Sequence, residues 1–189
     1  MFRSSLISLL LVTSAAASAE GFNYTFLQLD YKVIEIDDVN IDGDGFGLSG
    51  SFAINPDWFL FGAYEAAGLD FGIDATTIIA GIGHNTALSR VLDAYARVSY
   101  QYVDWEFPNG GSDDDNGLGL GVGVRFAAGE RFELNAGLDY NYFSDDGGDL
   151  ALSAGARFNF KRALSLGLGG SWSDDVSSYT LDGRINFGQ

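Results

Sequence analysis

Between Gly117 and Phe126 the chain reads GLGLGVGVRF, and every second residue is bulky and apolar. Leu118, Leu120, Val122, Val124 and Phe126 share one side, and Gly117, Gly119, Gly121, Gly123 and Arg125 share the other. Successive side chains of a strand point to opposite faces, whereas helical faces repeat every ~3.6 residues, so this stretch predicts a strand with one apolar face. Arg131 to Phe143 repeats the pattern, setting Phe132, Leu134, Leu138, Tyr140 and Tyr142 against Glu133, Asn135, Asp139 and Asn141. Leu150 to Phe160 does so again, with Leu152, Phe158 and Phe160 opposed to Ser153, Arg157 and Asn159.

Extending the alternation gives ten predicted strands: 22–33, 45–54, 58–66, 75–84, 92–103, 117–127, 131–143, 149–160, 164–173 and 178–187. Each is near the ~9–11 residues that a tilted strand needs to cross a bilayer. Two segments fit less cleanly. In 58–66, Phe59 and Phe61 fall on the side of Glu65, and in 75–84, Ile78 and Ile79 fall on opposite sides. Should that hairpin not form, the alternative count is eight. In 22–33, likewise, Phe22, Tyr24 and Phe26 share the parity of Asp30 and Lys32.

The first residues read differently. Arg3 is followed by the apolar run Leu6 to Val12, and then by the small residues Ala17-Ser18-Ala19. That order predicts an export signal over 1–19, cleaved before Glu20, and a single domain over 20–189. No later stretch holds the ~18 consecutive apolar residues of a membrane helix. With no cysteine in the chain, disulfides and thiolate metal sites are excluded. The formal net charge of −16 repels nucleic-acid phosphates, so nucleic acid is not an expected partner.

The charges are sorted. Connections after odd-numbered strands (34–44, 67–74, 104–116, 144–148 and 174–177) carry aspartates and glutamates and no lysine or arginine. Connections after even-numbered strands are short, as in Asn55-Pro56-Asp57 and Ala128-Gly129-Glu130. Within the strands the charged residues are Asp30, Lys32, Glu65, Asp93, Arg97, Arg125, Glu133, Asp139, Arg157, Asp182 and Arg184, mostly opposite the main apolar side. A soluble sandwich or lipocalin-like barrel would bury its apolar side instead. Two features favour a membrane barrel with a polar interior. Charges of both signs share the glycine-rich side, and the aromatics fall into two bands. Tyr31, Tyr64, Tyr100, Tyr102, Tyr140, Tyr142, Trp172 and Tyr179 lie near one set of strand ends. Phe52, Trp58, Phe126, Phe132, Phe158, Phe160 and Phe187 lie near the other. Two interfacial girdles are expected of outer-membrane barrels. The predicted fold is therefore all-β, an antiparallel up-and-down transmembrane β-barrel of ten strands, with short turns at the periplasm and the acidic connections outside.

Asp42-Gly43-Asp44-Gly45 leading to Gly50-Ser51-Phe52, and then Phe59-Leu60-Phe61-Gly62-Ala63-Tyr64, resembles the first hairpins of small outer-membrane β-barrel proteins, the OmpA/OmpX-like group. The resemblance covers essentially all of 20–189, in pattern more than in signature. It implies residence in the outer membrane of a Gram-negative bacterium, contact with lipid and lipopolysaccharide, and recognition by the barrel assembly machinery through a terminal phenylalanine. Phe187 keeps the expected alternation, but Gly188 and Gln189 follow it, which departs from the pattern. A monomer is expected.

Catalytic signals are sparse. The one histidine, His84, ends an even-numbered strand, away from every acidic connection, and reads as an interfacial residue beside a turn. The expectation is that the protein is not an enzyme and has no cofactor. The run Asp38-Val39-Asn40-Ile41-Asp42-Gly43-Asp44 matches the first half of a calcium loop, so Asp38, Asn40, Asp42 and Asp44 are candidate ligands for weakly bound Ca2+ or Mg2+. The twelfth position, where a bidentate glutamate belongs, is Ser49. The remaining candidate site is the lumen. Barrels near eight strands are filled by side chains, and opposite charges in a narrow tube should pair. The expected role is a structural or interaction protein of the envelope, its lumen plugged by the charged set. A narrow, low-conductance porin-like channel is the alternative.

Overall fold

The computed structural model describes residues 22–36, 41–145, 147–161 and 163–187. The leader expected over 1–19 lies outside the described residues. The strands are β1 (Phe26–Ile36), β2 (Ile41–Ala53), β3 (Trp58–Leu69), β4 (Ile73–Ala87), β5 (Leu92–Glu106), β6 (Ser112–Ala127), β7 (Phe132–Phe143), β8 (Gly147–Lys161), β9 (Leu164–Trp172) and β10 (Val176–Asn186). Each pairs antiparallel with the next in sequence, and β10 returns to β1, closing a ten-stranded up-and-down barrel. All ten segments read from the alternation are strands, so the eight-strand alternative is set aside. Closure leaves no unpaired edge, which a bilayer demands of any strand structure within it.

The barrel is inside-out relative to a soluble protein. Among the described residues the buried hydrophobics are Tyr24 and Phe59, whereas Asp30, Asp93, Arg125, Glu133, Arg157 and Asp182 are all buried. Leu118, Leu120, Val122, Val124 and Phe126 of β6 are exposed on the outer wall. A sandwich or lipocalin-like fold would show the reverse.

The two ill-fitting segments have one physical explanation. Phe59 and Phe61 of β3 face inward with Glu65, and Tyr24 and Phe26 line the interior with Asp30 and Lys32. Their parity was regular all along; it is the lumen that contains aromatics. Ile78 is on the outer wall, and Ile79 lines the interior.

Strand boundaries depart from expectation mainly at the acidic end. The segments 34–44 and 104–116, expected as loops, are mostly ladder: β1 runs to Ile36, β2 begins at Ile41, β5 ends at Glu106 and β6 begins at Ser112. Among the described residues, what remains of these segments as connection is 107–111. At ~3.3 Å per residue, a 16-residue β6 is far longer than a bilayer crossing requires, so it projects beyond the lipid. Both faces of a projecting strand are wet. No apolar alternation is required there, and none marks it in the sequence. At the other end, residues 22–25 are not strand but a strap leading into β1.

The short turns have local causes. Asn55 Oδ1 accepts the backbone N–H of Asp57 and of Trp58, both at 2.9 Å, fixing the β2–β3 turn. Gly129 holds a φ of 90° in the β6–β7 turn, a conformation that suits glycine.

Candidate functional site in the barrel lumen

The eleven charged residues singled out in the strands converge on the lumen in two tiers. Toward the acidic end, Lys32 pairs with Glu65. Arg97 grips Asp139 through Nη2, 2.9 Å from each carboxylate oxygen, and through Nε at 3.1 Å. Gln101 donates to Asn141 at 2.6 Å across the same level. Asp30, on β1, accepts from Gln28 Nε2 at 2.5 Å and from Ser49 Oγ at 3.2 Å. These residues line a cavity of about 510 Å³.

The second tier, toward the chain termini, is tighter. Arg125 and Glu133 form a fork: Nε to Oε1 at 2.7 Å and Nη2 to Oε2 at 3.0 Å. The strap closes on the same arginine. Arg125 Nη1 donates to the Asn23 carbonyl at 3.1 Å, and the guanidinium lies 4.9 Å from the Phe22 ring centroid and 4.7 Å from that of Tyr24. Tyr24 donates its hydroxyl to Asp93 at 3.0 Å and stacks on Phe59, centroids 4.7 Å apart. Beside this unit, Arg157 Nη1 donates to Asp182 at 2.7 Å, and its Nη2 donates to Gln28 Oε1 at 3.0 Å. Arg184 gives its Nε to the same Gln28 oxygen at 2.7 Å and lies 3.7 Å over the Phe26 ring.

The inward glycines make room for these bridges. A Cβ on Gly121 would sit 2.1 Å from Asp139 Oδ1, and one on Gly167 would sit 2.2 Å from Asp182 Oδ2. The glycine-rich polar side of the strands is thus the bed on which long charged side chains lie.

Below the second tier is another cavity, of about 350 Å³, at the mouth formed by the even-numbered turns. Arg125, Glu133, Arg157 and Arg184 line both cavities and stand between them.

Sequence reading had found the charges but not the neutral partners: Gln28, which joins Arg157, Arg184 and Asp30, and the strap residues Phe22 and Tyr24. The available signal was parity. Gln28, Tyr24 and Phe22 all share the parity of Asp30.

Of the four candidate cation ligands, two are described. Asp38 and Asn40 lie outside the described residues. Asp42 and Asp44 belong to β2 rather than a loop, and both are exposed. Asp42 stands opposite Glu35 in the ladder, and its N–H donates to Asp70 Oδ2 at 3.2 Å. Among the described residues no three histidine, cysteine or acidic side chains are grouped to hold a metal ion. His84 lies opposite Trp58 on β3, the rings in edge contact at 4.8 Å, beside the short turns.

Comparison with known proteins bears on the family. No curated protein matches the chain. Among solved structures, the NanC porin is 8% identical, with a TM-score of 0.51 covering 84% of this chain and 100% of that one. Ail, the attachment invasion locus protein of Yersinia pestis, is 16% identical, with a TM-score of 0.42 over 87% of this chain and 97% of its own. Neisserial surface protein A is 19% identical, with a TM-score of 0.44 over 86% and 96%. At 8% identity the likeness to the NanC porin is one of fold. The family model for the outer membrane protein beta-barrel domain matches residues 4–169. The apolar wall, the closed ladder and this match place the protein in the outer membrane of a Gram-negative bacterium, and the chain belongs to the outer membrane protein β-barrel domain family.

Proposed function

We propose that this protein is a structural or interaction barrel of the outer membrane whose lumen does not conduct. The observation that carries the reading is the latch on Arg125: the strap residues Phe22, Asn23 and Tyr24 all contact its guanidinium, in the layer between the two lumen cavities. A charge held between two rings, forked to a carboxylate and bonded to a carbonyl is costly to move, because each partner would be left unpaired. Ions meeting Arg125 find its guanidinium donors already engaged by Glu133 and the Asn23 carbonyl.

In this reading the work is done at the surface. The acidic ends of the strands project beyond the lipid, and orientation follows the class rule that short turns face the periplasm. Carboxylates stand directly opposite one another there, as Asp104 does Asp114 and Glu35 does Asp42. Such pairs repel, and a diffuse layer of divalent cations relieves them and bridges to lipopolysaccharide phosphates. The protein acts as a monomer without catalysis or a resident cofactor.

Liposome swelling tests the lumen. Vesicles carrying the refolded barrel should not swell in an isosmotic pentose solution. A Phe22→Ser/Tyr24→Ser variant, which removes the strap's rings from Arg125, should swell measurably. Swelling by the unaltered barrel at the variant's rate would support the narrow channel instead.

A further inference from the structure

The lower cavity is a vestibule at the periplasmic mouth, and its charge is unbalanced. Two of its arginines are matched: Arg125 by Glu133 and Arg157 by Asp182. Arg131, Lys161 and Arg184 also line it, and among the described residues none of the three makes an ion pair. Glu130 is the one further acidic residue in its described lining. The cationic excess is thus a property of this cavity, in a chain whose net charge is −16.

Arg184 is the focus. Its Nε is bonded to Gln28, and Phe26 supports one face of the guanidinium. Those contacts fix the plane of the group, while among the described residues Nη1 and Nη2 have no hydrogen-bond partner. A guanidinium held in this way offers a preorganised pair of donors, the geometry that oxyanions accept in bidentate fashion. A second, independent feature lies beside it. Arg157 is buried, and its Nε has no partner among the described residues. A buried unsatisfied donor is costly, and it adds to the uncompensated positive charge around Arg184, whose Nε shares the Gln28 oxygen with Arg157. At about 350 Å³ the vestibule is large enough for a small solute.

We propose that the periplasmic vestibule is a binding site for a small oxyanion, a phosphate or carboxylate group, gripped by Arg184 and drawn in by Arg131 and Lys161 at the rim. The site uses the lower face of the charged layer and the mouth below it, so it stands whether or not that layer conducts.

Isothermal titration of the refolded barrel in an uncharged detergent and phosphate-free buffer tests this. The probes are inorganic phosphate, glucose 6-phosphate and gluconate, with glucose as the uncharged control. At least one of the three anions should bind saturably at one site per barrel, and glucose should not. Which anion binds tightest separates a phosphate site from a carboxylate site. Arg184→Gln should weaken binding by about tenfold or more, the loss of a charge-assisted bidentate contact. Arg131→Gln and Lys161→Gln, at exposed positions without ion pairs, should each weaken it by about two- to fivefold. Absence of saturable binding by all three anions, or unchanged affinity in Arg184→Gln, overturns the proposal. Should Arg184→Gln fail to fold, the Arg131→Gln/Lys161→Gln barrel decides: unchanged affinity there overturns it equally.

Discussion

The two tiers of the lumen use the same chemistry to different ends. Lys32 and Glu65, toward the outside, keep 25% and 33% of their side-chain surface exposed, while Arg157 and Asp182, toward the periplasm, keep 6% and 8%. Both are ion pairs inside one barrel. The difference lies in what surrounds them. The upper pair stands partly exposed in the upper cavity, where water screens the charges and an exposed pair is worth roughly 0–1 kcal/mol. The lower pair borders the same cavity but is itself buried, with Arg157 also bonded to Gln28 and Ser165, so losing one partner strands the other without water. An ion pair therefore seals a barrel only where neighbouring side chains keep water from replacing it. Charge alone does not plug a lumen.

This contrast sets an order of effects. Arg157→Ala leaves Asp182 buried and unpaired and should destabilise the barrel by about 3–5 kcal/mol, read from urea unfolding in lipid vesicles. A loss no greater than that of an upper-tier variant would erase the distinction between tiers. Phe59→Ala removes the ring on which Tyr24 stacks and should cost about 3 kcal/mol by the same measurement. Its cost sharpens the comparison, since Phe59 separates aromatic sealing from ion pairing. Lys32→Gln should cost less than about 1 kcal/mol. Smallest, and opposite in sign, is Asp104→Asn on the projecting end of β5. Relieving its repulsion with Asp114 should stabilise by about 0.2–1 kcal/mol at low ionic strength, and the gain should vanish in high salt.

How far the sequence foretold this follows from where alternation is physically enforced. Between the girdles one face meets lipid and the other meets the lumen, so parity is obligatory, and β6 could be read almost residue by residue from GLGLGVGVRF. Outside the lipid the constraint lapses, and the ends of β1, β2, β5 and β6 passed for loops. Most charged residues of the lumen were legible because they sat opposite an apolar face; Asp30, Lys32 and Glu65, which share their side with phenylalanines, were the exceptions. The pairing was not legible, because which carboxylate meets which arginine depends on register and curvature: Arg97 of β5 reaches across β6 to Asp139 of β7. The strap was misread for a different reason. Phe22, Tyr24 and Phe26 are apolar, and apolar residues in a membrane barrel are expected on its lipid wall. Here Phe22 and Tyr24 serve Arg125, and Phe26 serves Arg184, inside the barrel.

The account's central claim is that the strap and the charged layer close the lumen. Single-channel recording of the refolded barrel in a planar bilayer tests it most directly, with folding verified by the heat-modifiable shift on a gel. The account predicts a silent bilayer for the unaltered protein and current steps for Phe22→Ser/Tyr24→Ser. Discrete, reproducible openings of the unaltered barrel would contradict it and make Arg97, Arg125, Arg157 and Arg184 the lining of an ion path.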